Sequence, residues 1–190
     1  MARYSTPVTA SRSSCIDALT LDRAQQKERA AAGLRSLPLP PWLAEDQWPF
    51  DTVALESEDT NIALTDVGSG PVLLFAHTGF WSFIRRDVIA RLAANFCCVC
   101  FDAPGTGRSA RLPVAKISLQ RASRALTAVV QVLELNDITL ILHDLGGITG
   151  IVGACRVADK IRGLCAVNAF AWRPAGAGHR SSVYSGELIA

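Results

Sequence analysis

No apolar stretch in the chain approaches the roughly 18 residues that a membrane-spanning helix needs, and no apolar core of a signal peptide follows Arg3. A helical membrane anchor is therefore not expected, and the sequence reads as that of a cytoplasmic protein without a membrane partner. An excess of charge of one sign is lacking as well. Nineteen Lys and Arg face seventeen Asp and Glu, for a net charge of +2, and the basic residues are scattered rather than gathered in a stripe. That argues against a nucleic-acid partner. Histidine is scarce, with three residues, and tyrosine scarcer, with two. No set of His, Asp and Cys has metal-ligand spacing, so neither a metal nor another cofactor is expected.

What the chain does have is apolar residues, 49% of its 190, enough for one domain with a real core. It also has six cysteines. Cys97, Cys98 and Cys100 fall within one predicted strand, where neighbours alternate faces and cannot wrap a tetrahedral ion. Cys155 and Cys165 occupy apolar positions of a predicted helix and strand, and Cys15 lies in the N-terminal tail. Five of them read as small buried hydrophobes in a reducing compartment.

Met1 to Ser14 reads as a tail rich in Ser and Thr, with a weak transit-peptide flavour. Ile16 to Leu34 favours a helix, and Leu37-Pro-Leu-Pro-Pro-Trp42 must be extended because its prolines forbid helix. Residues 1–50 thus form a tail and a surface arm, anchored by Trp42, Trp48 and Phe50. Thr52 to Glu56 and Ile62 to Val67 alternate apolar and polar side chains around a polar loop, Ser57 to Asn61, which predicts a hairpin. Val72 to Ala76 and Phe96 to Phe101 are wholly apolar runs suited to strands covered on both faces. Between them Ile84, Val88, Ile89 and Leu92 make a helical face, with Ser82 as its cap. A longer helix capped by Ser118 carries Leu119, Ala122, Leu126, Val129, Val130 and Leu133. Strand Ile138 to Leu142, a helix with Ile148, Ile151, Val152 and Cys155, and a fourth buried strand within Ile161 to Phe170 complete the order. The pattern β-β-β-α-β-α-β-α-β predicts an α/β three-layer sandwich with a mostly parallel sheet and an N-terminal antiparallel hairpin. Its core covers residues 51–173, and residues 174–190 follow as a C-terminal tail.

Three features stand at the carboxyl ends of successive buried strands, where open α/β sheets place ligand sites. They are His77-Thr-Gly-Phe, Asp102-Ala-Pro-Gly-Thr-Gly-Arg-Ser109 and His143-Asp-Leu-Gly-Gly147. The last has the form of a nucleophile elbow, a side chain projected above the sheet on a tight strand-to-helix turn with small residues behind it. Taken alone it reads equally well as a helix start with Asp144 as N-cap. The second loop also fits the G-x-G-x-x-G/A spacing of a dinucleotide fingerprint at Gly105 to Ala110. Pro104 and Arg111-Leu-Pro113 interrupt that reading, since the helix that should carry the pyrophosphate cannot start there.

Together, in this order and spacing, the three loops resemble the N-terminal half of the α/β-hydrolase fold, in the branch with an aspartate nucleophile that includes haloalkane dehalogenases and epoxide hydrolases. Trp81-Ser-Phe-Ile-Arg-Arg-Asp87 and Asn168-Ala-Phe-Ala-Trp172 are similar to that branch too. The resemblance implies that Asp144 attacks an electrophilic carbon to give an alkyl-enzyme ester. The backbone N–H of Leu145, with one from Thr78 or Gly79, would form the anion-stabilising hole. His77, Asp102, Gly105, Gly107, His143, Gly146 and Gly147 would shape the loops.

The departures from that branch also carry expectations. Dehalogenases hold the leaving halide with a Trp after the nucleophile and a second donor, often Asn, in the first loop. Here those places hold Leu145, which cannot donate from its side chain, and the Thr78-Gly79 pair. The branch's epoxide hydrolases use cap-domain tyrosines, and Tyr4 and Tyr184 lie in no recognisable cap. The branch's general base is a His far beyond a cap, and His179 follows the last strand too closely to be it. The expectation is a hydrolase acting on a small apolar substrate, with residues 174–190 as the start of a missing cap and this chain alone inactive. The alternatives are a non-catalytic remnant serving as a binding or assembly module, and an epoxide or ester hydrolase. Loss of strands beyond Leu164 to Asn168 would leave an apolar edge and predicts self-association.

Overall fold

The computed structural model describes residues 33–76 and 81–171. The tail, most of the expected first helix and the chain from Trp172 onward lie outside those residues. The end of that expected helix is not helical. Gly33, at φ +78°, turns the chain into a short strand, β1 (Leu34–Ser36), which pairs antiparallel with β2 (Val53–Ser57). Three residues are too few to show a period, so this strand has no sequence signal. The arm that follows is anchored by Trp48 and Phe50, both buried, whereas Trp42 is 68% exposed and meets the Trp81 ring in a T-shaped pair.

β2 and β3 (Thr60–Val67) form the expected hairpin with a tighter turn, Glu58-Asp59, in which Glu58 takes φ +51°. Ser57 and Thr60, polar residues at the strand ends, read as loop although Thr60 is buried. β4 (Val72–Ala76), α1 (Arg86–Leu92), β5 (Cys97–Phe101), α2 (Leu119–Val132), β6 (Ile138–Asp144), α3 (Gly146–Ala154) and β7 (Ile161–Ala169) then follow. The sheet order is β1-β2-β3-β5-β4-β6-β7, with β5, β4, β6 and β7 parallel and β3 antiparallel to β5.

Two apolar cores flank this sheet. On one face Leu74, Ala76, Val99, Leu140 and Leu142 pack under α2, through Leu126 and Val129, and reach Ala154 of α3. On the other, Leu73, Phe75, Cys98 and Cys100 pack against Ile89 of α1 and the arm's Trp48 and Phe50. Ser118 caps α2 as expected, its Oγ accepting from the Arg121 N–H at 3.2 Å. Ser82 does not cap α1. It opens a 3-10 turn, Ser82–Arg85, that leads into the helix, and only Ile89 of the expected stripe is fully buried, while Ile84 and Val88 are exposed.

α3 also differs from its sequence reading. Its buried face is Gly146, Gly147, Thr149, Gly150, Gly153 and Ala154, while Val152 and Cys155 are exposed. A Cβ on Gly150 would lie 2.4 Å from Leu142 Cδ2 and 3.0 Å from Ala76 Cβ, so the helix rides directly on the ends of β4 and β6. Close backbone approach is what these glycines provide, and hydropathy cannot report it.

The fourth strand is not buried. β7 closes the sheet, with Leu164, Val167 and Phe170 exposed. The cysteines divide accordingly. Cys98 and Cys100 are buried thiols, while Cys155 and Cys165 are exposed. Cys97 is buried and disulfide-bonded, so it is not the free thiol that the sequence reading expected.

Candidate active site

The order in which β4 is flanked decides where a ligand site can form. The chain leaves β4 for β5 on one side, then crosses to β6 on the other, and this reversal opens a crevice at the carboxyl end of β4. Three segments converge there: the turn Ser82–Arg85, the loop after β5 and the elbow after β6.

At the elbow, Asp144 is the last residue of β6 and takes φ +51°, a left-handed conformation that costs a non-glycine residue about 1–2 kcal/mol. Its carbonyl accepts from the Phe170 N–H at 2.9 Å, and the β6–β7 register skips a residue here, leaving Asn168 at φ +47° beside it. Gly147 follows because a Cβ there would come within 2.6 Å of the Phe170 carbonyl oxygen. The N-cap position of α3 is held by Leu145, and no side chain caps the helix. The reading of Asp144 as a helix cap is therefore not realised. The N–H groups of Leu145, Gly146 and Gly147 belong to a helix start, where the helix itself offers no acceptor.

Below the neighbouring loop lies Asp102, buried among donors. Its Oδ1 accepts from the N–H and the hydroxyl of Ser82, at 2.7 and 2.5 Å, and its Oδ2 from the Arg108 N–H at 2.8 Å. Burial raises its pKa, and the hydrogen bonds from Arg108 and Ser82 oppose that shift. Gly107, at φ +53°, has no room for a side chain, since a Cβ would sit 2.3 Å from Asp102 Oδ2. Gly105, at φ +83°, packs against the Ile117 side chain. Ser109 donates to the Asp102 carbonyl at 2.6 Å and accepts from the Ala63 N–H, and the Arg108 guanidinium reaches Thr52 Oγ1 and the carbonyls of Leu37 and Pro38. These bonds make the loop a structural knot, with no sign of a phosphate cradle.

His143 follows the alternation of Ile141, which packs on the α1 side of the sheet, and so faces the same side. Its Nδ1 is buried with no hydrogen-bond partner. Burial lowers its pKa first, the positive charge of Arg85 adds to this, and Asp144 opposes it. Arg85 is itself half-buried, and burial depresses its pKa. The sequence reading brings together Asp144, Leu145, Gly146, Gly147 and His143, with Asp102, Gly105 and Gly107 in the adjoining loop. His77, Thr78 and Gly79 lie outside the described residues. It missed Arg85, Ser82 and Arg108, all polar residues in stretches read for their apolar stripe or their glycines. Among the described residues no cluster of His, Cys, Asp and Glu could hold a metal ion.

Residues 73–188 match the alpha/beta hydrolase family. This chain belongs to that family.

Within the alpha/beta hydrolases its relatives include haloalkane dehalogenases. It is 31% identical over 126 residues to haloalkane dehalogenase 2 of Mycobacterium tuberculosis, covering 66% of this chain and 44% of that protein. To the haloalkane dehalogenase of Psychrobacter cryohalolentis it is 31% identical over 121 residues, covering 60% and 40%. Among solved structures, an alpha/beta hydrolase fold protein from Burkholderia ambifaria superposes with a TM-score of 0.58 at 27% identity, covering 64% of this chain and 45% of that one. The chain thus spans less than half the length of these relatives.

Proposed function

We propose that this alpha/beta hydrolase works through Asp144 as a nucleophile on a small, mainly apolar substrate with an electrophilic carbon. A carboxylate oxygen of Asp144 forms a bond to that carbon while the bond to the leaving group breaks. The leaving group departs with the electron pair, and an alkyl-aspartyl ester remains. Water then attacks the ester carbonyl, releasing the alcohol, a proton and the free carboxylate. The observation that carries this reading is the backbone of Asp144, held at φ +51° on a strand-to-helix turn and not used to cap the helix behind it. Strain of this kind persists where the surroundings enforce it, and it sets a side chain apart from its neighbours. The N–H groups of Leu145 and of Thr78 or Gly79 would stabilise the negative charge that develops on the ester oxygen.

The second step requires a base. His143 is the only histidine among the described residues, and its buried Nδ1 and position ahead of the elbow suit packing better than proton transfer from water. The ester is therefore expected to accumulate on this chain instead of turning over. Incubation with a panel of haloalkanes and epoxides, followed by mass spectrometry of the digested protein, should find the alkyl group on the peptide containing Asp144 and none on the Asp144→Asn variant. Unmodified Asp144 with every compound would remove the nucleophile assignment. Steady turnover by the chain would instead show that a base has been overlooked.

A further inference from the structure

The reading of Asp144 leaves one charged group of the crevice unused. The turn Ser82–Arg85 is fixed on both flanks. Ser82 is tied to Asp102, and Phe83 stacks on Trp81, with ring centroids 4.6 Å apart, and carries the Arg86 guanidinium over its ring at 4.3 Å. Arg86 also donates to the Phe83 carbonyl at 3.2 Å, and Arg108 has three acceptors of its own. Arg85 differs from both: its Nε and Nη2 are buried without a hydrogen-bond partner. A guanidinium keeps its charge in proteins, and a buried charge is ordinarily paired. The two bare nitrogens, moreover, are neighbours on one edge of the fork. Their N–H bonds run parallel, at the spacing of the two oxygens of a carboxylate.

The position of this fork follows from the turn that carries it, since Ser82, three residues before Arg85, is bonded to Asp102 at the carboxyl end of β5. The charge of Arg85 bears on His143 at the end of β6, and Cys100 near the end of β5 bears on Arg85. β4 runs between those two strands. Arg85 therefore stands at the carboxyl ends of these strands, beside the elbow, on a turn held by Asp102.

Resting on the assignment of Asp144, we propose that the Nε–Nη2 edge of Arg85 is a carboxylate-binding site, and that the substrate of this chain is a small carboxylic acid whose reactive carbon is presented to Asp144. The guanidinium offsets the repulsion that Asp144 would otherwise exert on an anionic substrate. It supplies orientation that Leu145, with no side-chain donor, cannot.

The test separates binding from chemistry. Acetate and propionate are titrated into the 190-residue chain, with chloride at equal ionic strength as the reference, following melting temperature and tryptophan fluorescence. Carboxylates should raise the melting temperature in a saturable way and chloride should not. Arg85→Gln should weaken acetate binding roughly tenfold or more, and Arg85→Lys, which keeps the charge and loses the fork, should weaken it too. Asp144→Asn should bind acetate at least as well as the parent, so this arm is independent of the nucleophile. A second arm compares 2-haloacids with haloalkanes of equal length for ester formation at Asp144, which tells a substrate carboxylate from a free one. Equal responses to acetate and chloride, or unaltered acetate affinity in both Arg85 variants, would overturn the proposal. Should Arg85→Gln fail to fold, the parent's selectivity and Arg85→Lys still decide. Acetate binding with no ester from any compound would sink the Asp144 reading and leave the site standing. Esters from haloalkanes but not haloacids would remove the claim about the substrate.

Discussion

A single carboxylate holds the two loops nearest the elbow. Asp102 is buried yet accepts three hydrogen bonds, two from Ser82 and one from the Arg108 N–H. Replacing it by Asn keeps an acceptor for Ser82 but turns an N–H donor toward the Arg108 N–H, and the variant should lose about 1–3 kcal/mol in urea unfolding. The pH dependence has a definite sign. Because the folded state raises the pKa of Asp102 above 3.8, it binds the proton more tightly than the unfolded chain does. The contribution of this residue is therefore largest below 3.8 and is lost as pH rises through the raised value. Urea midpoints measured at a series of pH values should show this component in the parent and not in Asp102→Asn. Gly107→Ala should be destabilising through a different cause, a left-handed backbone together with a Cβ placed 2.3 Å from the same carboxylate. A loss of roughly 2 kcal/mol is expected from the backbone and the displaced bonds together.

Among the elements, α3 depends most on the absence of side chains. Ala is a better helix former than Gly by about 1 kcal/mol, yet Gly147→Ala should destabilise, because its Cβ would meet backbone atoms of Phe170 instead of a side chain that can turn aside. A net cost of about 1–3 kcal/mol is expected, with hydrogen exchange increased at the end of β7. This helix also shows what a sequence reading can reach. The apolar runs of β4 and β5 and the spacing of Leu126, Val129 and Val130 in α2 are long enough to show their period, and those elements form where expected. Ile151 packs against the core as its spacing suggests, but Val152 and Cys155 misled, because spacing marks a helix without saying which side touches the sheet. β1 left no signal, and Ile84 and Val88 suggested a core face that a 3-10 turn directs outward. At the site, Asp144 and the glycines around it were legible because turn geometry restricts residue type. Arg85 was not, since nothing in the order of residues tells a buried guanidinium from a solvated one.

For the whole molecule, the two edges of the sheet are unequally protected. β1 is three residues long and carries the Arg35–Glu56 ion pair, while β7 is nine residues long, lacks proline, and has Arg162 as its one charged residue. We propose that copies of the chain associate through β7, which pairs on one side only among the described residues and whose apolar Leu164 and Val167 are exposed, a template for another strand. Sedimentation should show mass rising with concentration, and Val167→Lys should shift the chain toward monomer. A monomer at high concentration would refute this. The far edge has a different vulnerability, set by Arg108. Its guanidinium reaches Thr52 and the carbonyls of Leu37 and Pro38, so one side chain from the loop after β5 fastens the arm that runs between β1 and β2. Removing it would leave the sheet intact and free that arm to visit a protease. Limited digestion of Arg108→Ala should first cut near Arg35 or in the segment up to Asp51, long before the parent chain is nicked there.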